Sequence, residues 1–268
     1  MMGKYFFFGE FGFLHMHILP ALELFFERNP GQKLILCTYP NYGLIIKNHF
    51  ADNITITEEK VNLQDESRRQ ALFYYDESVD RKMKSLGYDL IYEIVNHYDN
   101  MFELHKDNEV HFGCLPPSKY QLKRKLEYNV GWTTEKFINI FPRNRKGPQH
   151  SWRNVPLDFW KKVLQNIDGL GYRIVVHGLK EETMEIKNDQ YIYPFNALEQ
   201  IMYLNNSLIT ITPDSGFYNF AVNCGSDIFV LDVFDYWIRY NPFKNKVINV
   251  DYKGEDCIES IVKAIKGE

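Results

Sequence analysis

Cysteine is scarce in this chain and never closely paired. Cys37, Cys114, Cys224 and Cys257 are the four among 268 residues, so no CxxC zinc or redox motif exists. A reducing cytoplasm is the compartment this usage fits. Long apolar runs are also missing, and nothing approaches the ~18 residues that span a bilayer. The opening, "MMGKYFFFGEFGFLHMHILPALELFF", is greasy, but Glu10, His15 and His17 interrupt it. No small-residue cleavage site follows, so a secretory leader is not expected. A complete Gly-x-Gly-x-x-Gly is absent after the first apolar run. "GEFGF" lacks the third glycine, which argues against a nicotinamide-dependent reductase. No DxD-type acidic pair stands in a suitable loop, so no metal is expected; no cofactor is expected either. A strong charge of one sign is lacking too: the net charge of −4 excludes a general polyanion binder.

What is present is ordinary for a globular protein of one large or two compact domains, with 45% hydrophobic and 25% charged residues. Aromatics reach 16%, which suits filled cores or stacking surfaces. The abundance of Lys, Asn, Ile, Tyr and Phe is the usage of AT-rich coding, common in phages and some bacteria. Charge is uneven along the chain. Residues 119–153 carry nine Lys or Arg against two acids, a local balance of +7. That segment is either a solvated face or a surface turned toward phosphate.

Apolar periodicity predicts two α/β halves in tandem. "KYFFF" (4–8), "KLILC" (33–37) and "NITIT" (53–57) read as buried strands, separated by helical spacing over 14–28 and 42–50. Asn29-Pro30-Gly31 stops the first helix. "YDLIYEIV" (88–95) reads as another strand and "KYQLKRKLEY" (119–128) as a helix. A second series follows: strands at 136–142, 171–178, 192–195, 208–212 and 227–232, with helices at 156–167, 197–207, 215–224 and 257–267. Pro156 suits a first helical position, where its missing N–H costs nothing. The expected architecture is two Rossmann-like α/β/α domains facing a cleft, 1–130 and 131–268.

Within the second series, "TITPDSGFYNF" places Asp214, Ser215 and Gly216 between a strand and a helix. Asp and Ser oxygens accept from the unpaired N–H groups of a first turn. Gly216 lets a ligand approach the backbone, and a helix start favours a phosphate. An ionised Asp214 would repel that phosphate, so it suits a cap or a sugar hydroxyl, and Ser215 with the amides of 215–217 suits the phosphate. A plain capped helix is the other reading of the same residues.

The order "FPRNRKGPQHSWRNVPLDFWKKVL", "GYRIVVHG", "NALEQIMYLNNSLITITPDSG" resembles the C-terminal half of the ADP-heptose:lipopolysaccharide heptosyltransferase family, glycosyltransferase family nine, of GT-B fold. "GEFGFLHMHILPALELFFERNPGQKL" resembles that family's opening, a glycine turn before a helix bearing "lPaL". The likeness covers about 120 residues at the C-terminal end and about 35 at the start, and rests on motif order rather than on any one motif. It implies a nucleotide-sugar donor held by the C-terminal half. Glu199 matches the glutamate that binds the ribose diol, although alone it reads equally as a helix surface residue. Asp214, Ser215 and Gly216 match the diphosphate and sugar end. Arg143, Arg145 and Lys146 fall in the loop given to phosphate contacts, and Gly178 leaves room for the base. His177 before it reads as a packed strand residue. Two departures stand out. Asn219 occupies the place of the family's histidine after "DSG", and can hydrogen-bond but carries no charge. Gly12-Phe13 replaces the Gly-Asp pair whose Asp is the family's proposed base, with one extra residue before Pro20. Glu10, in the same turn, is then the expected base.

The resemblance thus implies a metal-independent, cytoplasmic glycosyltransferase acting on a saccharide acceptor. The +7 segment leaves open a phage-type enzyme that glycosylates a hydroxymethylated base in DNA. The missing Gly-Asp leaves open a non-catalytic nucleotide-binding relative.

Overall fold

A computed structural model describes residues 2–9, 11–57, 77–99, 120–128, 131, 134–144, 154–178, 183–213, 215–232 and 240–268. The chain divides into two compact units, Met1–Arg124 and Lys125–Glu268, somewhat ahead of the expected boundary at 130.

Unit 1 is built on strands β1 (Gly3–Phe7), β2 (Leu34–Thr38), β3 (Ile54–Thr57) and β4 (Asp89–Leu90). They form one parallel sheet in the order β3-β2-β1-β4. Phe6 and Phe7 are consecutive and both fully buried, as expected of a strand covered on two faces. Helix α1, residues 11–28, follows β1, and α2 (Pro40–His49) follows β2. Asn29 ends α1 by donating its Nδ2 to the Phe25 carbonyl at 2.8 Å. Gly43 lets α2 lie close to β3, since a Cβ there would stand 2.8 Å from Ile56. Helices α3 (Glu77–Ser85) and α4 (Tyr92–Asp99) flank β4. On one face Phe6, Phe8 and Cys37 pack with Val79, Met83 and Tyr88.

Residues 88–95 are thus not one strand. Only Asp89 and Leu90 pair, with Tyr5 and Phe6. Beyond them Ile91, Tyr92, Ile94 and Val95 are buried while Glu93 is exposed, a helical spacing that wins over the β-branched composition. Residues 120–128 are not a helix either. Their amides are drawn to side chains: Lys123 N and Arg124 N donate to the Glu23 carboxylate at 2.6 and 3.3 Å. Tyr128 N donates to Asn205 Oδ1 at 3.1 Å, and Leu126 N to the Asn223 carbonyl at 2.8 Å. Glu23 also takes His49 Nε2 at 2.8 Å. Burial pushes its carboxyl up, but the bonds from His49 and Lys123 with the charges of His49 and Arg124 outweigh that and hold it below its usual value.

Unit 2 contains β5 (Phe137–Ile140), α5 (Leu157–Ile167), β6 (Arg173–Val176), α6 (Ala197–Asn205), β7 (Ser207–Pro213), α7 (Gly216–Asn223), β8 (Ile228–Asp232), β9 (Val247–Asp251) and α8 (Cys257–Lys266). Its sheet is parallel in the order β6-β5-β7-β8-β9. The expected strand at 192–195 shrinks to Ile192, which bridges Val175 in parallel beyond β6. Counting Ile192 as a rudimentary third strand, this is the 3-2-1-4-5-6 order of doubly wound sheets. Its switch point lies between β5 and β7. β9 adds to the expected strands; its burial is only partial, so its apolar signal is weak.

The two faces of this sheet differ. Ile138, Ile140, Ile174, Val176, Ile209 and Ile211 point to one side. There they meet Trp160, Val163, Leu164 and Ile167 of α5, buried at helical spacing, and Cys257, Ile261 and Ile265 of α8. Truncating one of these large residues to Ala would cost about 2–5 kcal/mol. By the two-residue period of a strand, Asn139, Thr210 and Thr212 point to the opposite side, toward α6 and α7, and all three are fully buried. Cys37, Cys224 and Cys257 are buried and form no disulfide among the described residues.

Candidate functional site

In an open parallel sheet, ligands bind beyond the carboxyl ends of the strands at the switch point. In unit 2 that places Phe141–Arg143, after β5, beside the start of α7, after β7. Phe141 and Phe217 join the two, their rings stacked at 4.4 Å and 5°. Ser215 is the N-cap of α7, with extended backbone and its Oγ accepting from Phe217 N at 3.3 Å. Tyr218 N reaches the Ser215 carbonyl at 3.0 Å. Gly216 opens the helix and is more exposed than Ser215. The helix is buried on all sides, so its dipole acts in a medium of low dielectric, where its positive end is least screened.

Arg143 is buried, and its guanidinium donates to Asn154 Oδ1 at 2.9 Å just ahead of α5. Its backbone N–H turns back to the Phe141 carbonyl at 2.9 Å. Gly178 follows β6 with φ of 130°, a conformation costly for any residue with a Cβ, and it is exposed.

Glu199 is the third residue of α6 and is half-buried. Its Oε2 accepts from Phe195 N at 2.8 Å, while the N-cap Asn196 accepts from Leu198 N and Glu199 N. One oxygen of Glu199 therefore holds the backbone one residue ahead of the N-cap, and a carboxylate retains further acceptor capacity. Phe195, beside it, is 90% exposed.

Asn219 lies in the first turns of α7 and is buried; among the described residues its Oδ1 has no hydrogen-bond partner. Glu10, Arg145, Lys146 and Asp214 lie outside the described residues.

The sheet face under α6 and α7 carries a polar chain that the sequence reading did not single out. His177 Nε2 meets Asn139 Oδ1 at 2.8 Å, and Asn139 Nδ2 donates to Ser207 Oγ at 3.0 Å. Ser207 Oγ meets Thr210 Oγ1 at 3.3 Å, and Thr210 Oγ1 meets Ser226 Oγ at 2.6 Å. An asparagine inside the apolar run "FINI" is the one signal for it in sequence. His177 is a packed residue, as expected, yet a bonded one.

In unit 1 the corresponding edge is aromatic. Phe13, where the resemblance calls for an acid, is buried against His17 (4.6 Å, stacked) and Tyr92 (5.3 Å, edge-on). His15 meets Phe11 edge-on at 4.5 Å, and burial lowers its pKa to about 3. Tyr39 and Tyr42 donate their hydroxyls to the carbonyls of Phe8 and Gly9 at 3.1 and 3.3 Å. Leu14–Ile18 is π-helical within α1. A π-bulge is one extra residue in an α-helix, the same number by which the stretch from Gly12 to Pro20 exceeds the pattern it resembles.

Among the described residues no helix is long and apolar enough to cross a membrane, and no group of three or more His, Cys, Asp or Glu is placed to hold a metal ion. No protein-family model matches the chain, and no curated protein matches it in sequence. Solved structures do. E. coli ADP-heptose LPS heptosyltransferase II matches at 11% identity with TM-score 0.62, over 100% of this chain and 98% of that one. A family 9 glycosyl transferase from Veillonella parvula matches at 14% and 0.57, over 98% and 95%. E. coli heptosyltransferase WaaC with ADP-2-deoxy-2-fluoro heptose matches at 12% and 0.56, over 100% and 98%. At such identity the likeness speaks for the fold, and the fold is the heptosyltransferase-like GT-B fold.

Proposed function

We propose that the chain is a glycosyltransferase that moves a sugar from a nucleoside-diphosphate donor to a hydroxyl of a saccharide acceptor. The observation that carries this reading is the full-length likeness to a heptosyltransferase with a nucleotide-type switch point in unit 2. Structures of WaaC hold ADP or an ADP-heptose analogue, which supports a nucleotide-sugar donor here.

In this reading the diphosphate lies at the N-terminus of α7. The cap takes the Phe217 amide, so the amides of Ser215 and Gly216, ahead of it, are the ones offered to phosphate oxygens. Asp214 accepts from a sugar hydroxyl, and Arg145 and Lys146 add positive charge. Gly178 leaves space for the base, and the uncommitted oxygen of Glu199 takes the ribose. Arg143, turned to Asn154, supports the loop from within. The acceptor oxygen attacks the anomeric carbon while the bond to the diphosphate breaks, its electron pair staying on the phosphate oxygen. The hydroxyl proton passes to Glu10. The helix dipole answers the charge that develops on the leaving group, so the reaction needs no divalent cation.

A thermal-shift screen with ADP, UDP, GDP and CMP tests the donor site. One nucleotide raises the melting temperature, the stabilisation reaching about 2.7 kcal/mol at a hundred times its Kd. Transfer from the matching nucleotide sugar survives EDTA, and Glu10→Gln abolishes it without loss of donor affinity. If no nucleotide shifts the transition, the proposal is wrong.

A further inference from the structure

The hydrogen bonds around Asn139 fix the protonation of His177. Both hydrogens of Asn139 Nδ2 are used, toward the Tyr203 carbonyl at 3.3 Å and Ser207 Oγ at 3.0 Å. The atom 2.8 Å from His177 Nε2 is therefore the amide oxygen, which only accepts. It follows that Nε2 carries the imidazole proton and Nδ1 is a bare acceptor. The ring is uncharged at neutral pH, since burial lowers its pKa to about 3. Nδ1 is buried and, among the described residues, has no hydrogen-bond partner. A buried acceptor left empty is costly and calls for a donor.

Its place says which kind of donor. His177 comes directly after β6, and its N–H donates to the Ile140 carbonyl at 2.8 Å, which ties it to the end of β5. The exposed Gly178 is next in the chain. The imidazole lies 4.9 Å from the Phe217 ring, in the turn of α7 that Ser215 caps. Asn219 is two residues on, and helical side chains lean toward the N-terminus, so Asn219 covers the turn that begins at Ser215. Its Oδ1 is the second empty, buried acceptor beside that helix start. Two neutral acceptors beside a helix start do nothing for a phosphate. They suit hydroxyl or amino groups attached to one.

We propose that His177 is a ligand-binding residue whose Nδ1 accepts a hydrogen bond from a hydroxyl or amino group of the nucleotide sugar at the start of α7. This rests on the donor site of the proposed function. Asn139 and Ser207 act through it as positioning residues, holding the tautomer that leaves Nδ1 bare.

His177→Gln separates the two nitrogens. The glutamine amide reaches the Nε2 position and keeps a donor for Asn139, but puts nothing at Nδ1. His177→Asn does the reverse, offering an oxygen near Nδ1 and dropping the bond to Asn139. Titration calorimetry of the full chain with the nucleoside diphosphate and with its nucleotide sugar reads the result. His177→Gln binds about fivefold more weakly at a melting temperature close to that of the parent. His177→Asn melts lower yet binds more tightly than His177→Gln. Loss with the nucleotide sugar alone assigns the donor to the sugar, and loss with both ligands assigns it to the nucleoside. Unchanged affinity in His177→Gln overturns the inference, as does affinity that merely follows melting temperature across both variants. A parent that binds neither ligand refutes the donor site itself and this inference with it.

Discussion

Both units are parallel sheets whose chain order begins 3-2-1-4, yet their carboxyl edges hold opposite chemistry. In unit 1 the edge is walled by rings: Phe7, Phe11, Phe13, Tyr39, Tyr42 and Tyr92 form a run of stacked, tilted and edge-on contacts. In unit 2 it carries an imidazole bonded to an asparagine amide and a capped helix start. Each edge buries a neutral histidine, His15 among rings and His177 in a hydrogen-bonded chain. One topology thus supports two surfaces, and the residues after each strand, not the strand order, decide what can bind there.

Acid should have the largest effect, because it strikes the histidine of each unit. Each has a folded pKa of about 3, below the ~6.5 of an unfolded chain. The unfolded state therefore binds the proton first, and the stability each contributes is whole above pH 6.5 and lost as pH falls toward 3. At pH 4 the loss is about 3 kcal/mol per histidine. The depressed Glu23 carboxyl has the same sign and acts lower, below the usual glutamate range. Urea unfolding measured from pH 7 to 4 should show the decline, and a flat profile would contradict the burial of both rings.

Phe13→Asp comes next. It restores an acid where the resemblance places one, but into a ring-lined position. The lost ring and the buried carboxylate together should cost at least about 4 kcal/mol in urea unfolding. A stable Phe13→Asp protein would mean the unit 1 edge is wetter than its packing shows. The smallest effect belongs to the cap. Ser215→Ala should cost about 1 kcal/mol and Ser215→Gly only a few tenths, since glycine tolerates the N-cap backbone.

Much of this was legible in the order of residues. Buried strands such as "FINI" and "KLILC" announce a parallel sheet, and the strand–Ser215–helix junction announces its cap. The misread segments share a cause: long-range partners overrode local preference. Residues 120–128 have a helical composition, but Glu23, Asn205 and Asn223 take their amides. Residues 88–95 have strand composition, but only two pair, and the rest pack by helical spacing. The tie between Asn139 and His177 joins residues 38 apart in sequence, so no local pattern could announce it. Glu199 is singled out by the resemblance alone, and its bond to Phe195 N, from just outside its helix, is visible only in three dimensions.

The π-helical stretch Leu14–Ile18 has a consequence for descent. Where a helix can swell by one position, a lineage can gain or lose a single codon without shifting what comes before or after it. Gly12 and Pro20 would keep their places through such an event, and the swelling would remain as its record. Relatives one residue shorter in this stretch are then expected to run straight there.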